Sequence, residues 1–140
     1  MRFPVSCPIH IVMLGCGGTG GHIAPHLYRL LYSVFRPSTA ILCDGDLVEK
    51  RNLVRQNFVS CDLGRNKAEV LAERYSAAFG MGCRYVPHYI ESEDELRQLL
   101  YPDYADALVI LLGCVDNNRS RRMCNEVFYH ARDLVRSEER

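Results

Sequence analysis

The chain has 140 residues, the length of one ordinary domain: long enough for a real core and short enough to argue against a second domain. Apolar residues make up 48% of it, which excludes a disordered chain, and a formal net charge of zero leaves no global field to hold nucleic acid or an acidic membrane surface. Nothing approaches the roughly 20 consecutive apolar residues of a membrane span, and the N-terminal MRFPVSCPIH lacks a long apolar stretch. The cysteines number seven, an odd count with no C-x-x-C pair, and several sit inside apolar runs; free thiols in a reducing cytoplasm are expected.

Pro4 and Pro8 mark an irregular lead-in. Ile9, Ile11, Val12, Met13 and Leu14 then predict a strand buried on both faces, and the chain turns abruptly through Gly15-Cys16-Gly17-Gly18-Thr19-Gly20. Residues 22–35 carry apolar side chains at Ile23, Leu27, Leu30, Leu31 and Val34, a helical spacing in which Pro25 is expected in the first turn, where proline is tolerated. The short apolar run 39–43 predicts a second buried strand ending at Asp44, followed by a polar stretch.

Residues 66–79 return to helical periodicity through Ala68, Val70, Leu71, Tyr75 and Ala78, with Gly80 as a C-cap. Residues 83–90 read as a third strand that Pro87 interrupts. A short helix over 91–100 has Ser92 as its cap, 107–112 is a fourth buried strand, and 119–136 closes the chain as a helix with Met123, Val127, Phe128, Ala131 and Leu134 on its apolar side. Such alternation predicts an α/β, Rossmann-like, mostly parallel sheet with helices on both faces and ligands bound beyond the carboxyl ends of the strands. That rule selects the loops 15–21, 44–56, 90–94 and 113–118.

Gly15, Gly17 and Gly20 have the spacing G-x-G-x-x-G between a strand and a helix. Glycine there permits a tight turn and close approach of a phosphate, and the helix N-terminus offers free N–H groups and the positive end of its dipole. Asp44, 24 residues after Gly20, is placed to accept hydrogen bonds from ribose hydroxyls. To this point a dinucleotide and ATP are not distinguished. Arg55 and Lys67 add cations, and Asn52 and Gln56 amides, which is phosphate-directed chemistry suited to a triphosphate. Arg51, beside Lys50, reads as a solvated surface charge. Asp116, after the fourth strand, could hold Mg²⁺ bridging phosphate oxygens, with helix capping as the alternative.

Taken jointly, Gly15 to Gly20, the block Asp44-Gly45-Asp46-Leu47-Val48-Glu49-Lys50-Arg51-Asn52-Leu53-Val54-Arg55-Gln56, Lys67, and Asp116-Asn117 with Arg121 and Asn125 resemble the ThiF, MoeB and ubiquitin-activating (E1-like) adenylyltransferase family. The resemblance implies binding of ATP and Mg²⁺ and adenylation of the C-terminal glycine of a ubiquitin-like or sulfur-carrier protein. Carried over by position, Gly15, Gly17, Gly18 and Gly20 would line the nucleotide site, Asp44 would bind ribose with Asp46 beside it, and Asn52, Arg55, Gln56 and Lys67 would surround the phosphates. Arg55, Lys67 and Asp116 would carry the catalytic roles, with Asp116 positioning Mg²⁺.

Family members continue past these motifs with further strands, a cysteine on a crossover segment and often a zinc site of paired C-x-x-C motifs. Residues 1–140 are therefore expected to form a single ThiF-type domain, incomplete relative to the family and without a visible zinc site. Neither Cys114 nor Cys124 corresponds to the family's nucleophile, and both are expected as buried thiols. His22 and His26, at i, i+4, read as ordinary helix positions rather than a metal pair. Dimerisation is expected, with itself or with a related subunit. The alternatives are a non-catalytic nucleotide-binding or dimerisation half of an E1-like complex, and an NAD-dependent oxidoreductase fragment.

Overall fold

The computed structural model describes the backbone of residues 6–138 and the side chains of residues 6–131. Its elements in chain order are β1 (Ile9–Leu14), α1 (Gly18–Ser33), β2 (Ser38–Cys43), α2 (Lys67–Phe79), β3 (Arg84–Val86), α3 (Glu93–Leu100), β4 (Leu108–Gly113) and α4 (Asn118–Glu138). The four strands pair in the order β3-β2-β1-β4, every pair parallel. This is the expected α/β sheet.

Alternation along β1 builds both layers, because successive side chains of a strand point to opposite faces. Ile9, Ile11 and Met13 pack with Leu27, Tyr28 and Leu31 of α1 and with Ala68, Leu71 and Ala72 of α2. Val12 and Leu14 pack on the other face with Leu96 of α3 and with Met123 and Val127 of α4. His10 is buried, and its Nε2–H donates to the Leu99 carbonyl at 2.7 Å, tying the end of α3 to the central strand. The chain therefore crosses the sheet between β3 and β4, and the C-terminal ends of all four strands are left to carry loops on one edge.

Three expectations are corrected. Helix α1 begins at Gly18, four residues earlier than the apolar spacing indicated, so Pro25 lies well inside it and not in its first turn. An interior proline cannot donate to the carbonyl four residues back, here that of Gly21. Asn57 Nδ2 donates to that carbonyl at 2.9 Å, replacing the missing bond from outside the helix. Strand β3 stops at Val86, so Pro87 ends the strand and does not merely interrupt it. Asn66, expected within the helix, is its N-cap: its side chain accepts from the Glu69 N–H at 3.0 Å, and Gly80 closes α2 in the left-handed conformation at φ 65°. Arg2, Pro4 and the side chain of Leu134 lie outside the described residues.

The polar stretch after β2 is built structure. It contains two 3₁₀ turns, Lys50–Val54 and Ser60–Asp62, and folds back so that Val48 N–H donates to Arg65 O and Gly64 N–H to Val48 O, at 2.8 and 2.9 Å. Buried Asp62 accepts two bonds from Arg74 of α2, at 2.6 and 2.7 Å, and one from Val59 N–H at 2.9 Å. Among the described residues no helix is long and apolar enough to cross a membrane.

Candidate functional site

A cleft of about 380 Å³ opens where the loops after all four strands meet. Two glycines make the first loop possible. Gly15 has φ 94° and a Cβ there would stand 2.5 Å from Cys114 O, so the turns after β1 and β4 touch backbone to backbone. A Cβ on Gly20 would overlap Gly15 O, so the glycine lets α1 seat against the turn. Gly20 supports the wall from behind, while Gly17 and Gly18 face the cleft.

Helix α1 presents an uncapped N-terminus to that space. Gly17 supplies no side-chain cap, the first turn holds no acidic residue, and a backbone bond runs from Gly21 N–H to Gly17 O at 2.9 Å. The N–H groups before it are the unpaired donors of a helix start.

Asp44 sits at the end of β2, 9% exposed. Its Oδ2 accepts from Cys16 N–H at 2.7 Å and its Oδ1 from Asp46 N–H at 2.8 Å, so the carboxylate fixes the glycine turn and its own loop together. Burial pushes its pKa up, opposed by those two N–H bonds and by the charge of Lys67. Lys67 opens α2, 5% exposed, with its Nζ 3.4 Å from Asp46 Oδ2. Asn66 Nδ2 donates to Asp44 O at 2.8 Å, so the residue that caps α2 also anchors the end of β2.

The remaining predicted residues divide between cleft and support. Arg55 lines the cleft, and its guanidinium has no ion-pair partner among the described residues. Its backbone is held by His22, whose Nε2–H donates to Arg55 O at 2.9 Å. Gln56 also lines the cleft, and its buried Oε1 has no hydrogen-bond partner among the described residues. Asn52 is buried and accepts from Glu49 N–H at 2.8 Å, bracing the 3₁₀ turn that carries Arg55. Arg51 pairs with Glu49 at 2.6 Å on the surface.

After β4, Asn117 Oδ1 accepts from Ser120 N–H at 2.8 Å and caps α4. The exposed Asp116, also in the cleft lining, is thereby free of the capping role. No group of three metal-ligating side chains converges among the described residues.

Burial disfavours the thiolate form of several cysteines in and behind the cleft. Burial pushes Cys43 up to about 12 and holds Cys16, Cys114 and Cys124 above their ordinary value. Cys114 and Cys124, expected as buried thiols, are only half-buried, and Cys61 and Cys83 are exposed.

Residues 44–66 make several of these contacts through groups that no motif announced. Asn66 carried a signal, an amide immediately before a helix with Glu69 three positions on. His22, Asn57 and Tyr89 carried none, because their partners are distant in sequence.

A parallel α/β sheet with a glycine turn, an acid and two cations at its carboxyl edge is a Rossmann-like arrangement. The chain belongs to the ThiF family, which matches residues 8–137. Among solved structures it is similar to E. coli TcdA, a tRNA N6-threonylcarbamoyladenosine dehydratase, at 26% identity and a TM-score of 0.69, over 90% of this chain and 48% of that one. It is similar to E. coli MccB at 27% identity and a TM-score of 0.59, over 79% of this chain and 28% of MccB. The chain thus spans about half the length of TcdA and little more than a quarter of MccB. No curated protein matches it significantly.

Proposed function

We propose that the cleft binds ATP with Mg²⁺ and that the chain is the nucleotide-binding domain of an adenylyltransferase. Its acceptor is the C-terminal carboxylate of a ubiquitin-like or sulfur-carrier protein. The observation that carries this reading is the convergence of the uncapped α1 N-terminus, buried Lys67, unpaired Arg55 and buried Asp44 on one cleft. MccB, one of the similar proteins, has been solved with ATP and, separately, with MccA, which supports an ATP site in this fold beside a second substrate.

In this reading Asp44 binds the ribose, while Arg55, Lys67 and the α1 N-terminus hold the phosphate oxygens. Gln56 fits the same role: its orphaned amide gains a partner when a ligand enters or when the amide rotates to offer its NH₂. Asp116 would hold Mg²⁺, which supplies charge neutralisation to the phosphates when bound. An acceptor carboxylate oxygen bonds to the α-phosphorus, the bond from that phosphorus to the bridging oxygen breaks, and pyrophosphate leaves with the electron pair. No proton need move, so the protein's work is alignment and neutralisation, and no thiol nucleophile is required.

A second reading, a nucleotide-binding half that lacks activity by itself, draws on the span of less than half of TcdA. Exchange of labelled pyrophosphate into ATP separates the two. The proposal expects exchange that depends on Mg²⁺ and on an added carrier ending in glycine, lost in Asp116→Ala; ATP binding with no exchange across a panel of such carriers would favour the second reading.

A further inference from the structure

Tyr89 follows β3 and is 57% exposed, yet it is held at two points. Its hydroxyl donates to Oδ1 of Asp46. Its ring rests against Gly45, where a Cβ would stand 2.6, 2.7 and 2.8 Å from Cδ2, Cε2 and Cγ, so only glycine leaves room for it. The other Asp46 oxygen, Oδ2, is the one that faces Lys67 Nζ at 3.4 Å. Tyr89 also stands between the main cleft and a second cavity of about 430 Å³ beside the starts of α3 and α4.

These contacts form a chain from an exposed ring to a buried cation. We propose that Tyr89 is a positioning residue for Lys67: its hydroxyl fixes the Asp46 carboxylate, and that carboxylate holds the ammonium at the floor of the cleft. The inference rests on the nucleotide reading of this cleft. Lysine is a point charge on a flexible stem, and its bond to Asp46 is longer than the roughly 2.7–2.9 Å of a strong charge-assisted hydrogen bond. Half of the Asp46 side chain is in solvent, at 49% exposure, so the carboxylate needs a second anchor to hold one rotamer. Tyr89 is that anchor, and the arrangement spares the cation part of the ordering cost when phosphate arrives.

The test is equilibrium binding of ATP with Mg²⁺, and of adenosine by competition, to the full chain and to Tyr89→Phe, Asp46→Ala and the double variant. Tyr89→Phe keeps the ring and removes only the hydroxyl. It is expected to weaken ATP about fivefold, to leave adenosine unchanged because that ligand has no phosphate for Lys67, and to add nothing in the Asp46→Ala background. Gly45→Ala, which displaces the ring, is expected to weaken ATP in the same direction. Unchanged ATP affinity in Tyr89→Phe, losses that add in the double variant, or a parallel loss of adenosine would overturn the role. Failure of the unaltered chain to bind ATP would instead remove the nucleotide reading on which the role depends.

Discussion

At the scale of single residues, two acids at opposite ends of the same polar stretch titrate in opposite directions. Burial of Asp62 by itself raises its pKa, but the two hydrogen bonds and the charge of Arg74, with the Val59 N–H, outweigh it and hold the carboxyl below its ordinary value. A carboxyl lowered on folding stabilises the fold above its unfolded value of about 4 and loses that contribution as pH falls through the lower folded value. Asp44 has the reverse sign: its folded value is raised, so falling pH favours the folded state at that position. Arg74→Ala is expected to cost about 2 kcal/mol at neutral pH, less than the loss for a fully buried pair, because 33% of the Arg74 side chain is in solvent. The difference from the unaltered chain should shrink in denaturant titrations as pH drops below about 4. A difference constant down to strong acid would show that the Asp62 charge is not what Arg74 stabilises.

Much of the lining of the candidate cleft was legible at this scale. A glycine turn, an acid after a strand, and isolated cations declare their chemistry by residue type, and Gly17, Gly18, Asp44, Asp46, Arg55, Gln56, Lys67 and Asp116 all line the cleft. What residue type does not declare is which atom faces outward. Asn52 spends its carboxamide oxygen on the Glu49 N–H, and Gly20 makes room for Gly15 O behind the wall. Capping, which sequence left open between Asp116 and a Mg²⁺ role, falls to the neighbouring Asn117.

At the scale of elements, the clearest departure is α1. Apolar spacing starts at Ile23 because the glycines before it carry no side chains to show a period, and the first helical turn is therefore invisible to hydrophobic pattern. Placing Pro25 in the interior then raises the question of the Gly21 carbonyl, and Asn57 answers it from 36 positions away, with Tyr75 accepting the same amide's second bond at 2.7 Å. Asn57→Ala is expected to destabilise the fold by about 1–2 kcal/mol, the cost of an unsatisfied buried carbonyl. In a Pro25→Ala background the restored N–H supplies the intrahelical bond, and the same substitution should cost much less. Equal costs in both backgrounds, measured from chemical denaturation midpoints, would show that Asn57 acts elsewhere.

At the scale of the molecule, topology does the gathering. Residues from 14 to 120 reach one cleft because each parallel strand delivers its loop to the same edge of the sheet, and the crossing between β3 and β4 opens space there. Apolar runs made β1 and β2 readable, since buried parallel strands are short and continuous in hydrophobicity; β4, expected as a buried strand, is only half-buried, with Val109 39% exposed. The fold of residues 44–66 was not readable, because its contacts are backbone bonds and side-chain caps that leave no period. That fold sets where Arg55 stands relative to Lys67 on the lining of the cleft.

The most direct measurement is calorimetric titration of the full chain with ATP in Mg²⁺ and, separately, with NAD, repeated on Arg55→Ala and Lys67→Ala. Saturable ATP binding that exceeds NAD binding is expected, falling about tenfold to a hundredfold in either variant, the factor carried by charged hydrogen bonds of about 1.5–3 kcal/mol. NAD bound in preference to ATP, or ATP bound equally well after loss of either cation, would contradict the ATP reading of the cleft.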